Sequence, residues 1–176
     1  MVTISVLMVF VFVQFERANT DYLTGLFNRR EYEGYVAGLE RRKKKLALLS
    51  GLILDLDRFK SINDLFGHDI GDLALKAVAD VLRTSFRQND FLARLGGDEF
   101  VALFYVDSED QIKAIAMRLQ AAMDKFNRSR QFEFSLSITI GYDCFRPDQD
   151  ESIAGFLKRL DERMYANKPY AKSKAF

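Results

Sequence analysis

The chain has a single cysteine, Cys144, in 176 residues. That excludes an internal disulfide and a zinc site built from cysteines, and the residue reads as a small apolar member of a strand. Net charge is nearly absent too, since 26 Lys and Arg stand against 25 Asp and Glu, leaving +1 at neutral pH. Such a balance gives no global attraction for nucleic acid or acidic lipid, so any anionic ligand must be held by a local cluster. Linkers rich in Pro, Gly or Ser are missing, as are internal repeats, and no boundary falls inside residues 20–176. What is present is material for a core: 48% hydrophobic residues over this length suit one domain of ordinary size.

Residues 1–19 form an apolar lead-in. The run MVTISVLMVFVFV is shorter than the roughly 20 residues of a spanning helix. It also lacks the basic start and small-residue cleavage site of a signal peptide. Two readings stay open: the end of a membrane helix that begins upstream, or an amphipathic helix packed on the domain or on a partner. The first is favoured, because an apolar run of this kind otherwise needs a cover.

Behind the lead-in, a turn around Thr24 and Gly25 precedes a helix on which Tyr32, Tyr35, Val36 and Leu39 recur at helical spacing. The basic run Arg41 to Lys45 closes it, where cations suit the negative end of the helix dipole. LALLSGLILDLD (46–57) reads as an apolar strand ending in two acids, Asp55 and Asp57. DIGDLALKAVADVLRTSF (69–86) is an amphipathic helix, and SEDQIKAIAMRLQAAMDKF (108–126) is another, opened by a Ser/Asp cap. FEFSLSITIGYDCF (132–145) alternates as a strand, and ESIAGFLKRLDERMYANK (151–168) is a final helix stopped by Pro169. Helices between strands, with one hairpin, predict an α+β fold in which helices flank a mainly antiparallel sheet.

The hairpin is RLGGDEF (94–100), with Gly-Gly between the strand-like runs FLARL and FVALFYV. A tight hairpin turn needs positive φ, which Gly adopts cheaply, but it does not need the acids Asp98 and Glu99 that follow. If the strand ending at Asp55 neighbours this hairpin, the carboxylates converge at one edge of the sheet. One or two carboxylates, a backbone carbonyl and substrate phosphates are the ligands Mg²⁺ prefers. DLDRFKSINDLFGHDIGD (55–72) adds Lys60 for a phosphate. It also supplies Asn63 and Asp72, whose groups match the donor and acceptor edge of guanine, and Gly67 and Gly71, which admit a ligand close to the backbone.

With these motifs in hand the chain resembles the diguanylate cyclases, the family named for the GGDEF signature. DYLTGLFNRR (21–30) resembles the opening motif, residues 55–72 the metal and guanine motif, and RLGGDEF the signature hairpin; SITIG (137–141) and the YANK helix end are further landmarks. The resemblance implies a fold similar to nucleotidyl cyclase and polymerase palm domains, over residues 20–176. It implies metal binding by Asp55, the Leu56 carbonyl, Asp98 and Glu99, with two Mg²⁺ or Mn²⁺ ions per active site. It also implies guanine binding by Asn63 and Asp72, with His68 in the same loop, and charge neutralisation by Lys60. For His68 a loop-stabilising hydrogen bond is the alternative. Asp57 and Arg58 read as solvated loop charges.

The implied reaction condenses two GTP into cyclic di-GMP and two pyrophosphates. Asp98, Glu99 and Lys60 would serve catalysis, with one GTP per domain and a homodimer as the working unit. RQND (87–90) resembles the family's inhibitory product site, giving Arg87 and Asp90, with Arg118 on the following helix as a third member. The C-terminus departs from the family: where Lys is usually followed four residues later by Arg, this chain has Lys168 and Lys172 with Pro169 between them. Lys172 keeps the charge without the bidentate fork, so both lysines are triphosphate candidates in an altered loop. The resemblance further implies a cytoplasmic domain driven by an upstream sensor or membrane segment, tethered to the inner membrane if the lead-in ends a membrane helix, with no nucleic-acid partner. The competing reading is a non-catalytic receptor for GTP or cyclic di-GMP, which has no use for a full set of metal ligands.

Overall fold

The computed structural model describes residues 18–43, 48–129, 131–149 and 152–169. Helix α1 (Arg29–Arg41) starts where Asn28 accepts a hydrogen bond from the Glu31 N–H through its side chain. Strand β1 (Leu49–Leu56) leads into two consecutive helices, α2 (Phe59–Phe66) and α3 (His68–Ser85). The hairpin strands β2 (Phe91–Gly96) and β3 (Glu99–Tyr105) follow, then α4 (Asp110–Arg128), β4 (Ile138–Cys144) and α5 (Ile153–Asn167). The four strands form one sheet in the order β2-β3-β1-β4, and every neighbouring pair is antiparallel.

Both faces of the sheet are covered, and the alternation of side chains along a strand decides what each face receives. Leu52, Leu54 and Leu56 of β1 join Phe100, Ala102 and Phe104 of β3 under α3 and α4, with Leu75, Leu82, Leu119 and Met123 among the covering residues. Leu49 and Ile53 join Val101 and Leu103 on the opposite face, under Leu39 of α1 and Phe156, Leu160 and Met164 of α5. Burial on both sides is why β1 reads as one continuous apolar run. Close approach of α5 rests on two glycines. A Cβ at Gly51 would lie 2.9 Å from the Phe156 ring, and one at Gly141 would run into the backbone of Leu160 and Met164. Seated there, α5 delivers Lys168, the residue that caps its C-terminus, to the end of β1.

Three local expectations need correction. Residues 132–137 are not strand: β1 pairs with β4 only from Ser50↔Cys144 to Leu56↔Ile138, so earlier residues have no partner to extend the ladder. Phe132 and Phe134 instead stack with one another, and Phe134 stacks on Phe66 of α2. Asn63 lies on helix α2 rather than in a loop, and His68 is the first residue of α3. Finally, α4 has no side-chain cap from Ser or Asp; the Gln111 side chain accepts the Asp107 N–H at 3.0 Å instead. The lead-in lies outside the described residues apart from 18 and 19, and among the described residues no helix is long and apolar enough to cross a membrane.

Candidate active site

Strand pairing puts the acids together. Asp55 stands directly opposite Glu99 in the β1–β3 register, and the Leu56 N–H donates to the Asp98 carbonyl at 3.1 Å. Gly96 and Gly97 both take positive φ (138° and 55°), which makes the tight turn that leaves Asp98 at its tip. Two guanidinium groups hold this hairpin from outside. Arg29 Nε donates to the Leu95 carbonyl at 2.7 Å, while Arg94 reaches the Gly97 carbonyl at 2.7 Å and pairs with Asp21 at 3.1 Å. Asp21 is itself fixed by the N–H and hydroxyl of Thr24, at 2.9 and 2.6 Å. The opening motif therefore braces the signature hairpin, a role that sequence reasoning did not assign to it.

The electrostatics follow from this crowding. Burial pushes the Asp55 carboxyl up, the Lys168 ammonium pulls it down, and Asp98 and Asp57 push it up again; the net direction is up. Burial also raises Glu99, with the charges of Asp55 and Asp98 adding to it. Lys168, almost fully buried, pairs its ammonium with the Asp55 carboxylate. A cluster of carboxylates that repel one another and draw a lysine cation onto one member suits a divalent ion. Among the described residues no three His, Cys, Asp or Glu side chains form a ready-made metal cage. The fit is to the expected mixed set of one or two carboxylates, a carbonyl and substrate oxygens.

On the guanine side, Gly71 is buried against Asn63, and a Cβ there would collide with the Asn63 side chain. Asp72 and His68 are exposed on the first turns of α3, and Lys60 is exposed on α2. Lys172 lies outside the described residues. Asp57 is not a solvated loop charge. It is 9% exposed and accepts hydrogen bonds from the hydroxyls of Ser137 at 2.7 Å and Thr139 at 2.6 Å. Arg58 is exposed, as expected, with φ of 58°.

The inhibitory-site candidates also come together. The Asp90 carboxylate accepts the Arg87 N–H at 2.8 Å, closing the turn between α3 and β2. Arg118 donates to the Ser85 carbonyl at 2.7 Å, so Arg87, Asp90 and Arg118 line one cavity of about 600 Å³ with Phe104, Tyr105 and Gln111.

The profile of the family described as diguanylate cyclase, GGDEF domain, matches residues 18–174. The chain is 38% identical over 159 residues to the diguanylate cyclase DgcP of Pseudomonas aeruginosa, covering 88% of this chain and 23% of that protein. The solved GGDEF domain of the P. aeruginosa protein TpbB (YfiN) superimposes with a TM-score of 0.74 at 35% identity, over 86% of this chain and 89% of that one. The GGDEF domain of DgcB from Caulobacter crescentus, solved in complex with c-di-GMP, gives 0.74 at 26% identity, over 88% and 89%. The chain spans less than half the length of the curated relatives it matches.

Proposed function

Because the chain belongs to the diguanylate cyclase GGDEF-domain family, we propose that it condenses two GTP into cyclic di-GMP with release of two pyrophosphates. The observation that carries this reading is the cross-strand pairing of Asp55 with Glu99 beside the Asp98 turn, at the open end of the sheet. Divalent metal use is a property of the family; Mg²⁺ or Mn²⁺, two ions per site, is the proposed complement here. Asp55, the Leu56 carbonyl, Asp98 and Glu99 would hold them. Bound there, the ions would lower the pKa of the attacking hydroxyl and take up charge on the leaving pyrophosphate.

The chain's own groups do the rest. Asn63 and Asp72 orient guanine, and His68 at the same helix start is within the guanine-side group. Lys60 neutralises phosphate charge as it builds up, and Lys168 and Lys172 are the triphosphate candidates. Asp98 takes the proton of the 3′-hydroxyl, which attacks the α-phosphorus of the GTP held by the other domain. One domain holds one GTP, so the catalytic unit is a homodimer. Product binding at Arg87, Asp90 and Arg118 would restrain how two domains approach, because Asp90 leads directly into β2 and the hairpin.

The test is incubation with GTP and Mg²⁺, chromatographic identification of the product, and a parallel run with ATP. Cyclic di-GMP from GTP and little or no product from ATP is the expected result. Nucleotide binding without turnover would favour the receptor reading instead. For the inhibitory site, Arg87→Ala should retain activity at added cyclic di-GMP concentrations that suppress the wild type; equal inhibition of both would remove the site from Arg87.

A further inference from the structure

Asp57 is a buried carboxylate that the proposed chemistry does not use. It sits one residue beyond β1, and both of its hydrogen-bond donors, Ser137 and Thr139, come from the start of β4. Its backbone makes a third link to the same place, the Asp57 N–H donating to the Ser137 carbonyl at 2.8 Å. A single residue thus fastens the end of β1 to β4 by three contacts, just where the β1–β4 ladder ends at Leu56↔Ile138.

The peptide bond being fastened is the one that carries the Leu56 carbonyl. There are no cis peptides, and in a trans peptide the N–H and C=O point in opposite directions. With the Asp57 N–H turned to β4, the Leu56 carbonyl is turned the other way, toward β3. Consistently, the Leu56 N–H also faces that side, donating to the Asp98 carbonyl. On the sheet order β3-β1-β4, the Leu56 oxygen therefore faces the Asp98 turn. The Asp57 N–H bond to Ser137 is the last backbone link on this side, and the two hydroxyl donors on the carboxylate add to it at the strand end.

We propose that Asp57 is a positioning residue that fixes the Leu56 carbonyl toward the Asp98 turn, through the hydroxyls of Ser137 and Thr139. It acts through position, not by touching substrate or metal. The inference rests on the metal-binding reading of Asp55 and Leu56 given above, and its test keeps the two apart.

Mn²⁺ alone is titrated into the wild type and variants, with the free ion read by electron paramagnetic resonance and thermal unfolding followed on the same samples. Asp57→Ala is expected to raise the Kd for Mn²⁺ by about 10–100-fold, the usual cost of losing a group that orients a ligand. The double variant Ser137→Ala/Thr139→Val is expected to do much the same with the carboxylate in place. Asp57→Asn, whose amide offers an oxygen to one hydroxyl and an N–H to the other, should stay within about threefold of wild type. Wild-type Mn²⁺ affinity in folded Asp57→Ala overturns the inference. So does equal loss in Asp57→Asn and Asp57→Ala, because charge rather than position would then be responsible. If Asp57→Ala does not fold, the double variant and Asp57→Asn decide by the same criteria. Asp55→Asn is the control: if it binds Mn²⁺ like wild type, the metal reading itself fails; if it loses the ion while Asp57→Ala keeps it, only the role of Asp57 falls.

Discussion

Gly71 links packing to the proposed guanine contact, since a methyl group there would occupy the place of the Asn63 side chain. Gly71→Ala should therefore displace Asn63 and weaken GTP selectively. Loss of a polar contact of this kind costs about 1–3 kcal/mol, so KM for GTP should rise about 5–150-fold, with cooperative unfolding retained. An unchanged KM would mean that Asn63 does not read the base. Asp143 makes a different kind of prediction. Burial alone would raise its carboxyl, but hydrogen bonds from Arg159 and the Cys144 N–H, with the charges of Arg163 and Arg159, outweigh burial and hold it below the ordinary value of 3.8. A lowered folded pKa contributes stability that is present above the ordinary value and lost as pH falls through the folded one. The stability gap between wild type and Asp143→Asn in urea unfolding should be open at pH 7 and close in strong acid. A gap that widens on acidification would contradict the ion cluster. That Asp55 would meet the Asp98 turn was legible from the strand and hairpin pattern. Asp57 was not, because its partners lie 80 and 82 residues downstream and nothing local announces them.

At the level of elements, the signature hairpin is a tight glycine turn held by neighbours. Its two glycines have positive φ, and its carbonyls are gripped by Arg29 and by Arg94, the latter tied to Asp21 of the opening motif. Arg94→Ala should leave Asp98 and Glu99 in the chain but loosen the turn that aims them. Misplacement on the ångström scale can cost about 100-fold in rate, so kcat should fall by about 10–100-fold with KM for GTP little changed, and Asp21→Asn should reproduce part of the effect. A change confined to KM would contradict the bracing role. The hairpin itself was legible because Gly-Gly between apolar runs has few alternatives. Helix α2 was hidden, since it is only eight residues long, half of them polar, and only Ile62 is buried. The first half of 132–145 alternates convincingly, but a strand needs a neighbour, and the β1–β4 ladder ends at Leu56↔Ile138, with only the Asp57 contacts to Ser137 and Thr139 beyond it.

For the whole molecule, a single antiparallel sheet brings ends of β1, β3 and α5 to one edge, where three carboxylates and Lys168 meet. In the proposed reaction that edge is where a nucleotide would be held between two copies. Near-neutral net charge sets up no strong repulsion between them. Fold class was readable from element order, whereas the meeting of Arg87, Asp90 and Arg118 around one cavity depends on how α3 and α4 pack and was only partly readable. If each domain holds one of the two substrates, as proposed, the rate depends on encounter. The decisive measurement is the initial rate of cyclic di-GMP formation at saturating GTP and Mg²⁺ as protein concentration is varied, for wild type and Asp55→Asn. The rate per protomer should rise with wild-type concentration before levelling off, and folded Asp55→Asn should make no product at any concentration. A rate per protomer independent of concentration down to the most dilute sample would contradict the two-domain site, and turnover by Asp55→Asn at the wild-type rate would contradict the metal site on which the account rests.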